Sequence, residues 1–203
     1  MRACLAILFC IAFTGCAQTI ESAKQAQSTA RSCCTTIAQL PYEDLEPNNH
    51  QLTFDINTNS PYFNFESGGS YFKAFSLKPS LKSDKKLSLK SYIQTLGFGR
   101  KNYFFQPALL LLDNNFQVIA NSTSISELIR NDLFSSGDVV LNKSVDLPAN
   151  VQYLIIYTTP QLMDAKTLYQ FNQSTYASGV VLSNDGIADF PSGPVGKLSI
   201  KLQ

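Results

Sequence analysis

The chain has 203 residues, 44% of them apolar and only 15% charged, against the roughly 25% usual in soluble proteins. Its 16 Lys/Arg and 15 Asp/Glu leave a formal charge of +1 with no basic block, which excludes nucleic-acid binding by bulk charge. The single histidine, His50, excludes His-rich zinc sites and any acid–base pair of histidines.

Arg2 precedes an apolar run, Ala3 to Phe13, and then Thr14-Gly15-Cys16-Ala17. A basic start, a short apolar stretch and small residues at a cleavage point predict an export signal over 1–15. The run is too short to span a bilayer core of about 30 Å as a helix. Thr14-Gly15-Cys16 resembles a bacterial lipobox, with Phe13 departing from the branched apolar residue expected there. The resemblance implies lipidation of the Cys16 sulfur, and several acyl chains on one residue suffice for stable anchoring. No Asp follows Cys16, so by the same analogy the expected address is the periplasm, at the inner face of the outer membrane. The alternative is ordinary cleavage that releases a free periplasmic protein. Of the five cysteines, Cys4 and Cys10 fall in the signal. Cys33 and Cys34 remain, adjacent in an oxidising compartment. They either close an eight-membered disulfide ring or pair separately outside the chain, and they are no CxxC redox motif.

Residues 17–32 are small and polar without a strong apolar stripe, so 16–34 is expected to be a lipidated, flexible tether, partly helical at most, with little to bury. A domain over 35–203 follows, with about 48–122 and 135–203 as two sub-parts if it divides. Ile37 and Leu40 suggest a short helical turn ended by Pro41, and Glu46-Pro47-Asn48-Asn49-His50 is a break. Strand signals then dominate. Leu52, Phe54 and Ile56 alternate with polar residues; Tyr62 to Phe65, Tyr71 to Leu77 and Leu87 to Ile93 follow, with a turn at Glu66 to Ser70. Ala108 to Leu112, Asp113-Asn114-Asn115 and Phe116 to Ala120 read as a hairpin with a buried first strand. Ser124 to Glu127 has capping-box spacing and Asp164 to Tyr169 looks helical, so two short helices are expected there. Asp138 to Leu141 is a further short strand. Val151 to Thr159, closed by Pro160, is the strongest strand candidate. Lys197 to Leu202 alternates cleanly after the turn at Pro191 to Gly196. Many strands without long helices between them predict a mainly β fold, an antiparallel β-sandwich of jelly-roll-like form with one or two short helices.

Catalytic signatures are sparse. His50 sits in a turn without a G-x-S-x-G elbow, and there is no Walker A run, dinucleotide fingerprint or H-E-x-x-H. Gly97-Phe98-Gly99-Arg100 lacks phosphate-cradle spacing. Glu43-Asp44-Glu46, Asp185 and Asp189 are the acidic groups from which a glycosidase pair would have to come. Asp113-Asn114-Asn115 and Asn184-Asp185-Gly186 carry oxygens but no twelve-residue calcium-loop spacing, and read better as turns. No cofactor, metal or catalytic residue is therefore expected. The 14 Phe and nine Tyr belong mostly to the core. Tyr62, Tyr71, Tyr92 and Tyr103, with Asn64 and Asn102, are the candidates for a stacking and hydrogen-bonding face toward a glycan.

Four blocks, in order, resemble the maltose operon periplasmic protein family. They are Cys33-Cys34 with Leu40-Pro41-Tyr42 and Leu45; Phe65 to Leu77; Phe105 to Asp113 with Phe116; and Tyr153 to Thr159. Together they span roughly 32–202. The resemblance implies a periplasmic or membrane-tethered protein linked to maltose and maltodextrin uptake, and no enzyme; it transfers no ligand residues. The expected role is that of a non-enzymatic accessory or interaction protein in carbohydrate transport. Its expected partners are the outer membrane through its lipid, and a porin, an envelope component or a maltodextrin. A carbohydrate-binding module using the Tyr/Asn set is the alternative.

Overall fold

The computed structural model describes residues 19–46, 51–77, 84–94, 102–130, 139–177 and 180–203. The export signal, Cys16, His50 and Gly97 to Arg100 lie outside these residues. The chain opens with helix α1 (Ile20–Ser28), a 3₁₀ turn (Ile37–Gln39), and strands β1 (Tyr42–Leu45) and β2 (Leu52–Ile56). A small hairpin, β3 (Tyr62–Phe65) and β4 (Gly68–Tyr71), precedes β5 (Lys73–Leu77), β6 (Lys85–Tyr92) and β7 (Phe104–Phe105). Then come β8 (Ala108–Leu112), β9 (Val118–Ser122), β10 (Glu127–Arg130), β11 (Val139–Leu147) and β12 (Tyr153–Tyr157). Helix α2 (Pro160–Asp164), the long strands β13 (Lys166–Ala177) and β14 (Val180–Gly193), and β15 (Gly196–Leu202) complete it.

Two five-stranded sheets carry the fold, ordered β1-β5-β12-β8-β9 and β10-β11-β6-β15-β2. Their pairings nest: β8 with β9, β6 with β11, β5 with β12, and β2 with β15. One long antiparallel hairpin is thus rolled across both sheets, which is jelly-roll topology. The addition of β1 parallel to β5 and of β10 beside β11 extends each sheet by a strand. Both sheets interleave strands from the two halves of the chain, so neither half closes a sheet alone.

The alternation of β6 and β15 turns Leu87, Leu89, Leu198, Ile200 and Leu202 inward, where they meet Phe75, Leu77, Leu109, Leu111, Leu154 and Ile156 of the first sheet. Phe54 and Phe75 touch edge-on across the gap, centroids 5.4 Å apart. Each such buried side chain contributes about 1.5–3 kcal/mol before entropy is counted. The first sheet is also covered on its outer face. Ala74, Ala108, Leu110, Leu112, Ile155 and Tyr157 pack under Phe63, Phe65, Leu40 and Leu162, with Phe65 stacked on Tyr157 at 4.3 Å. Burial on both faces explains why Ala108–Leu112 is an unbroken apolar run.

Several local expectations change. Within the expected tether, residues 20–28 are a docked helix. Thr19 caps α1 by accepting from the Ser22 N–H (3.1 Å), and Ile20 and Ala23 are buried in the inter-sheet core. Its apolar face is only Ile20, Ala23 and the stem of Gln27, a stripe too slight to stand out in sequence. Ser124 to Glu127 is no helix: the Ser126 N–H is taken by the Gln106 Oε1 (3.2 Å), and Glu127–Arg130 pairs with β11. Pairing to a buried neighbour outweighs the local capping preference. Helix α2 ends at Asp164, four residues after Pro160 opens it, and Lys166 begins a strand. The run Thr167-Leu168-Tyr169-Gln170-Phe171 is β-branched and aromatic, which suits a strand better than a helix. Asn184-Asp185-Gly186, read as a turn, lies inside β14.

Buried polar groups tie the ends of these strands together. Gln106 is fully buried; its Nε2 donates to Thr167 Oγ1 (3.0 Å) and its carbonyl accepts from Thr158 Oγ1 (2.8 Å), joining the β7–β8 link to β12 and β13. Lys143 of β11, 5% exposed, donates to the carbonyls of Pro107 (2.9 Å), Ser122 (3.0 Å) and Ser124 (2.7 Å). Burial pushes its pKa down from 10.5 to about 8.

Replacing this lysine by methionine keeps the stem but leaves three carbonyls without their donor, at an expected cost of about 3 kcal/mol in denaturant unfolding. The folded state releases the Lys143 proton near pH 8 and the unfolded state near 10.5, so unfolding takes up a proton in that window. Wild-type stability should therefore gain on Lys143→Met from pH 8 to 10; parallel curves would disprove the assignment. Ala23→Asp should place a charge in the core and undock α1, making residues 19–32 the first site of limited proteolysis. Unchanged protection of that segment would show that the helix is held by something else.

Candidate functional site: a groove between the two helices

Helix α1 lies against β4 and β14, fixed by the Gln27 side chain, whose Nε2 donates to the Gly69 carbonyl at 2.6 Å. Helix α2 is capped by Thr159 Oγ1, which accepts from the Leu162 N–H (3.1 Å), and Pro160 pre-sets its first turn. Between the helices run two adjoining clefts. The larger, about 540 Å³, is lined by Thr19, Ile20, Glu21 and Lys24 on one side and Met163, Asp164, Lys166, Asp189 and Ser192 on the other. The smaller, about 300 Å³, shares Lys24, Met163 and Asp164 and continues to Gln27, Ser28, Pro160 and Tyr62. Lys24, Gln27 and Ser28 line it together because residues three and four apart share a helix face.

The groove is polar at its rim and apolar beneath. Lys166 and Asp189 pair at 3.3 Å, both well exposed. Ser192 is buried and donates to the Ala165 carbonyl (2.9 Å), while Thr19 and Ser28 hydroxyls bond within α1. Tyr62 forms the far end. A methyl at Gly69 would collide with the Tyr62 hydroxyl and approach Asn64 Oδ1, so glycine there lets Tyr62 and Asn64 lie across the strand. Gln27 is 7% exposed, and its Oε1 is buried without a hydrogen-bond partner among the described residues.

The six Tyr/Asn candidates do not form one face. Tyr62 and Asn64 come together beside the groove. Tyr71, 3% exposed, sits in the inter-sheet core edge-on to Tyr62 at 5.7 Å. Burial, and secondarily Tyr62, raise its pKa. Tyr103, 2% exposed, is likewise in the core with its pKa raised by burial, and Asn102 beside it is half-buried. These two rings are corrected from surface to interior: they supply bulk where the sheets meet. Tyr92 stands on the outer face of the second sheet by a separate cleft of about 320 Å³, its hydroxyl bonded to Gln51 Nε2 (2.9 Å) and Ser199 Oγ (3.0 Å). Cys33 and Cys34 form an adjacent disulfide, and the Cys33 N–H donates to the Tyr62 carbonyl (2.8 Å). Glu43 pairs with Lys73, and Asp44 accepts from Ser76 Oγ (2.5 Å), so this acid cluster braces the β1–β5 edge. Asp113 Oδ1 accepts from the N–H groups of Asn115 and Gln117, both at 2.8 Å, and shapes the hairpin turn.

Sequence reasoning missed Lys24, Gln27 and Asp164, because the groove exists only once α1 docks. It also missed three half-buried rings, Tyr42, Phe116 and Tyr153, packed on the outer edge of the first sheet. Phe116 occupies the left-handed region at φ 60°, where a bulky residue is uncommon, and stacks on Tyr153 at 4.4 Å. Tyr42 lies 4.7 Å from Tyr153; burial, then this neighbour, hold its pKa far above the ordinary value.

No curated protein and no solved structure matches the chain. A family model does, over residues 67–202, which is more than half of the chain and covers β4 through β15. On that match the chain belongs to the family of the maltose operon periplasmic protein precursor (MalM).

Proposed function

We propose that the protein is a non-enzymatic, lipid-anchored accessory protein of maltose and maltodextrin uptake, acting by binding at the inner face of the outer membrane. Family membership supports the compartment and the link to maltose. The observation that carries the binding role is the chemistry of the larger cleft. Its Ser192 and Thr19 hydroxyls are engaged in holding backbone and cap, and Asp189 is paired with Lys166. At about 540 Å³ between two helices, the cleft has room for a ligand or a segment of a partner. A porin, another envelope component and the maltodextrin itself are the partner classes that fit the compartment. The second reading, a carbohydrate-binding module, is favoured by Tyr62 and Asn64 standing side by side at the groove's end.

Only three residues separate Cys16 from Ile20, and the four backbone steps span at most about 14 Å. With lipid on Cys16, the docked α1 holds the domain close to the leaflet instead of extending it on a tether. Cys16→Ser should move the protein from the membrane to the soluble periplasmic fraction; continued sedimentation with membranes would refute the anchor. Deleting the gene should slow uptake of labelled maltodextrin several-fold at limiting substrate, with rescue by the wild-type copy. Equal uptake in both strains would refute the accessory role.

A further inference from the structure

The groove belongs to the binding role already described, and nothing indicates what would cover the exposed Leu168 and Ile187 of the β13–β14 ribbon or the Tyr42–Phe116–Tyr153 rings. The Cys33–Cys34 disulfide differs from these surfaces because it carries chemistry of its own. We propose that this bond is redox-active, a site of thiol–disulfide exchange with a dithiol protein, and that its reduction unlatches the segment between α1 and β1. This goes beyond the binding role proposed above and does not rest on it.

Three observations carry the assignment. First, the bond is poorly explained as a staple. A disulfide stabilises a fold mainly by closing a loop in the unfolded chain, and the gain grows with the length of that loop. Adjacent residues close the shortest loop there is, so the fold does little to resist reduction of this bond. Second, an acceptor stands ready for the reduced form. Cys34 Sγ lies 3.3 Å from the Gln39 carbonyl oxygen, within hydrogen-bonding distance for sulfur. A disulfide sulfur has no hydrogen to give, whereas a thiol does, so only reduction turns this contact into a hydrogen bond. Third, the pair sits between two points of attachment. The Cys33 N–H bond to the Tyr62 carbonyl (2.8 Å) ties the segment after α1 to β3. Cys34 packs, with Ile37 and Tyr42, against the cluster that holds Leu40, Phe63 and Phe65. Beyond it, the Thr35 N–H and hydroxyl both donate to Gln39 Oε1, at 3.1 and 2.7 Å. The closed ring restricts the backbone between the two attachments, and opening it restores that freedom. Helix α1 is held separately, by Ile20 and Ala23 in the core and by Gln27 on Gly69, so it stays docked.

Cys33 is exposed and Cys34 half-buried, so the reductant approaches Cys33. Its thiolate attacks Cys33 Sγ and forms a mixed disulfide, while the bonding electron pair leaves on Cys34 Sγ, which takes up a proton. The reductant's second thiol loses its proton and attacks the mixed disulfide, and Cys33 Sγ leaves and is protonated in turn. Two electrons pass to the protein, which ends with two thiols, and the reductant ends with a disulfide.

The test uses the purified protein under native conditions, with dithiothreitol as the probe dithiol. Thiols are trapped by alkylation and assigned by peptide mass, and amide hydrogen exchange is followed on both redox forms. Expected is reduction of the Cys33–Cys34 pair at least tenfold faster than the chain unfolds. Exchange over 29–42 should be at least tenfold faster in the reduced form, with peptides of α1 and β15 unchanged. The double variant Cys33→Ser, Cys34→Ser should exchange like the reduced protein with or without dithiothreitol, which separates ring opening from any other effect of the reductant. A pair reduced no faster than the chain unfolds is an inert bond and overturns the proposal. Reduction that leaves exchange over 29–42 unchanged overturns it too, as does a double variant that keeps the slow exchange of the oxidised protein. The uptake comparison decides the accessory role independently.

Discussion

The first sheet must be covered twice. Ala108–Leu112 and Tyr153–Tyr157 are apolar on both sides of the pleat, so one face needs the second sheet and the other needs a separate cover. The jelly roll supplies the first partner. The second is assembled from pieces with no sheet of their own to join: the Leu40 turn, the β3–β4 hairpin and α2, bringing Leu40, Phe63, Phe65 and Leu162. A two-stranded hairpin is marginal alone, so β3–β4 is ordered by what it covers. Its opposite face, Tyr62 and Tyr71, is then left to be closed by something else, and α1 does so by bonding to Gly69. The groove is the seam where these covering pieces meet.

Polar groups inside the fold divide sharply in how they are served. Gln106 and Lys143 have their polar atoms engaged, and each ties together chain segments far apart in sequence. Satisfied networks of this kind fix one arrangement, because every alternative leaves carbonyls or amides buried and bare. Gln27 has the same burial and half the bonding. Ser91 and Ser126 hydroxyls are also without partners among the described residues, and neither lines the two helix-bounded clefts.

Much of the framework was legible because period-two alternation is a local signal. Leu52 to Ile56, Leu87 to Tyr92 and Lys197 to Leu202 each show which face is inward, and each is a strand of the second sheet, solvated on its outer side. The unbroken Leu109–Leu112 run was readable as the buried first strand of a hairpin. What failed depended on distant partners. The capping-box pattern at Ser124 is real chemistry, but Gln106, twenty residues earlier, takes the Ser126 N–H first. Helix α1 carries so small an apolar face that only its docking site reveals it. Of the Tyr/Asn set, Tyr71 and Tyr103 read as surface candidates because a tyrosine in a strand has no sequence mark for inside or outside; Tyr62 and Asn64 were brought together by their i, i+2 spacing on β3.

Docking of α1 also changes what a lipid at Cys16 would accomplish. A flexible linker would let the domain sample a hemisphere above the leaflet, with the groove pointing anywhere. A helix that starts four residues from the anchor and is bonded to the body removes that freedom. Because α1 forms one wall of the groove, the Thr19 end of the larger cleft is the part of the molecule held closest to Cys16, and the Tyr62 end lies about one helix length away, roughly 13 Å along the axis of a nine-residue helix. With a lipid on Cys16, the Thr19 end of the groove would be the part nearest the leaflet whichever way the helix tilts, because the backbone between them spans at most about 14 Å.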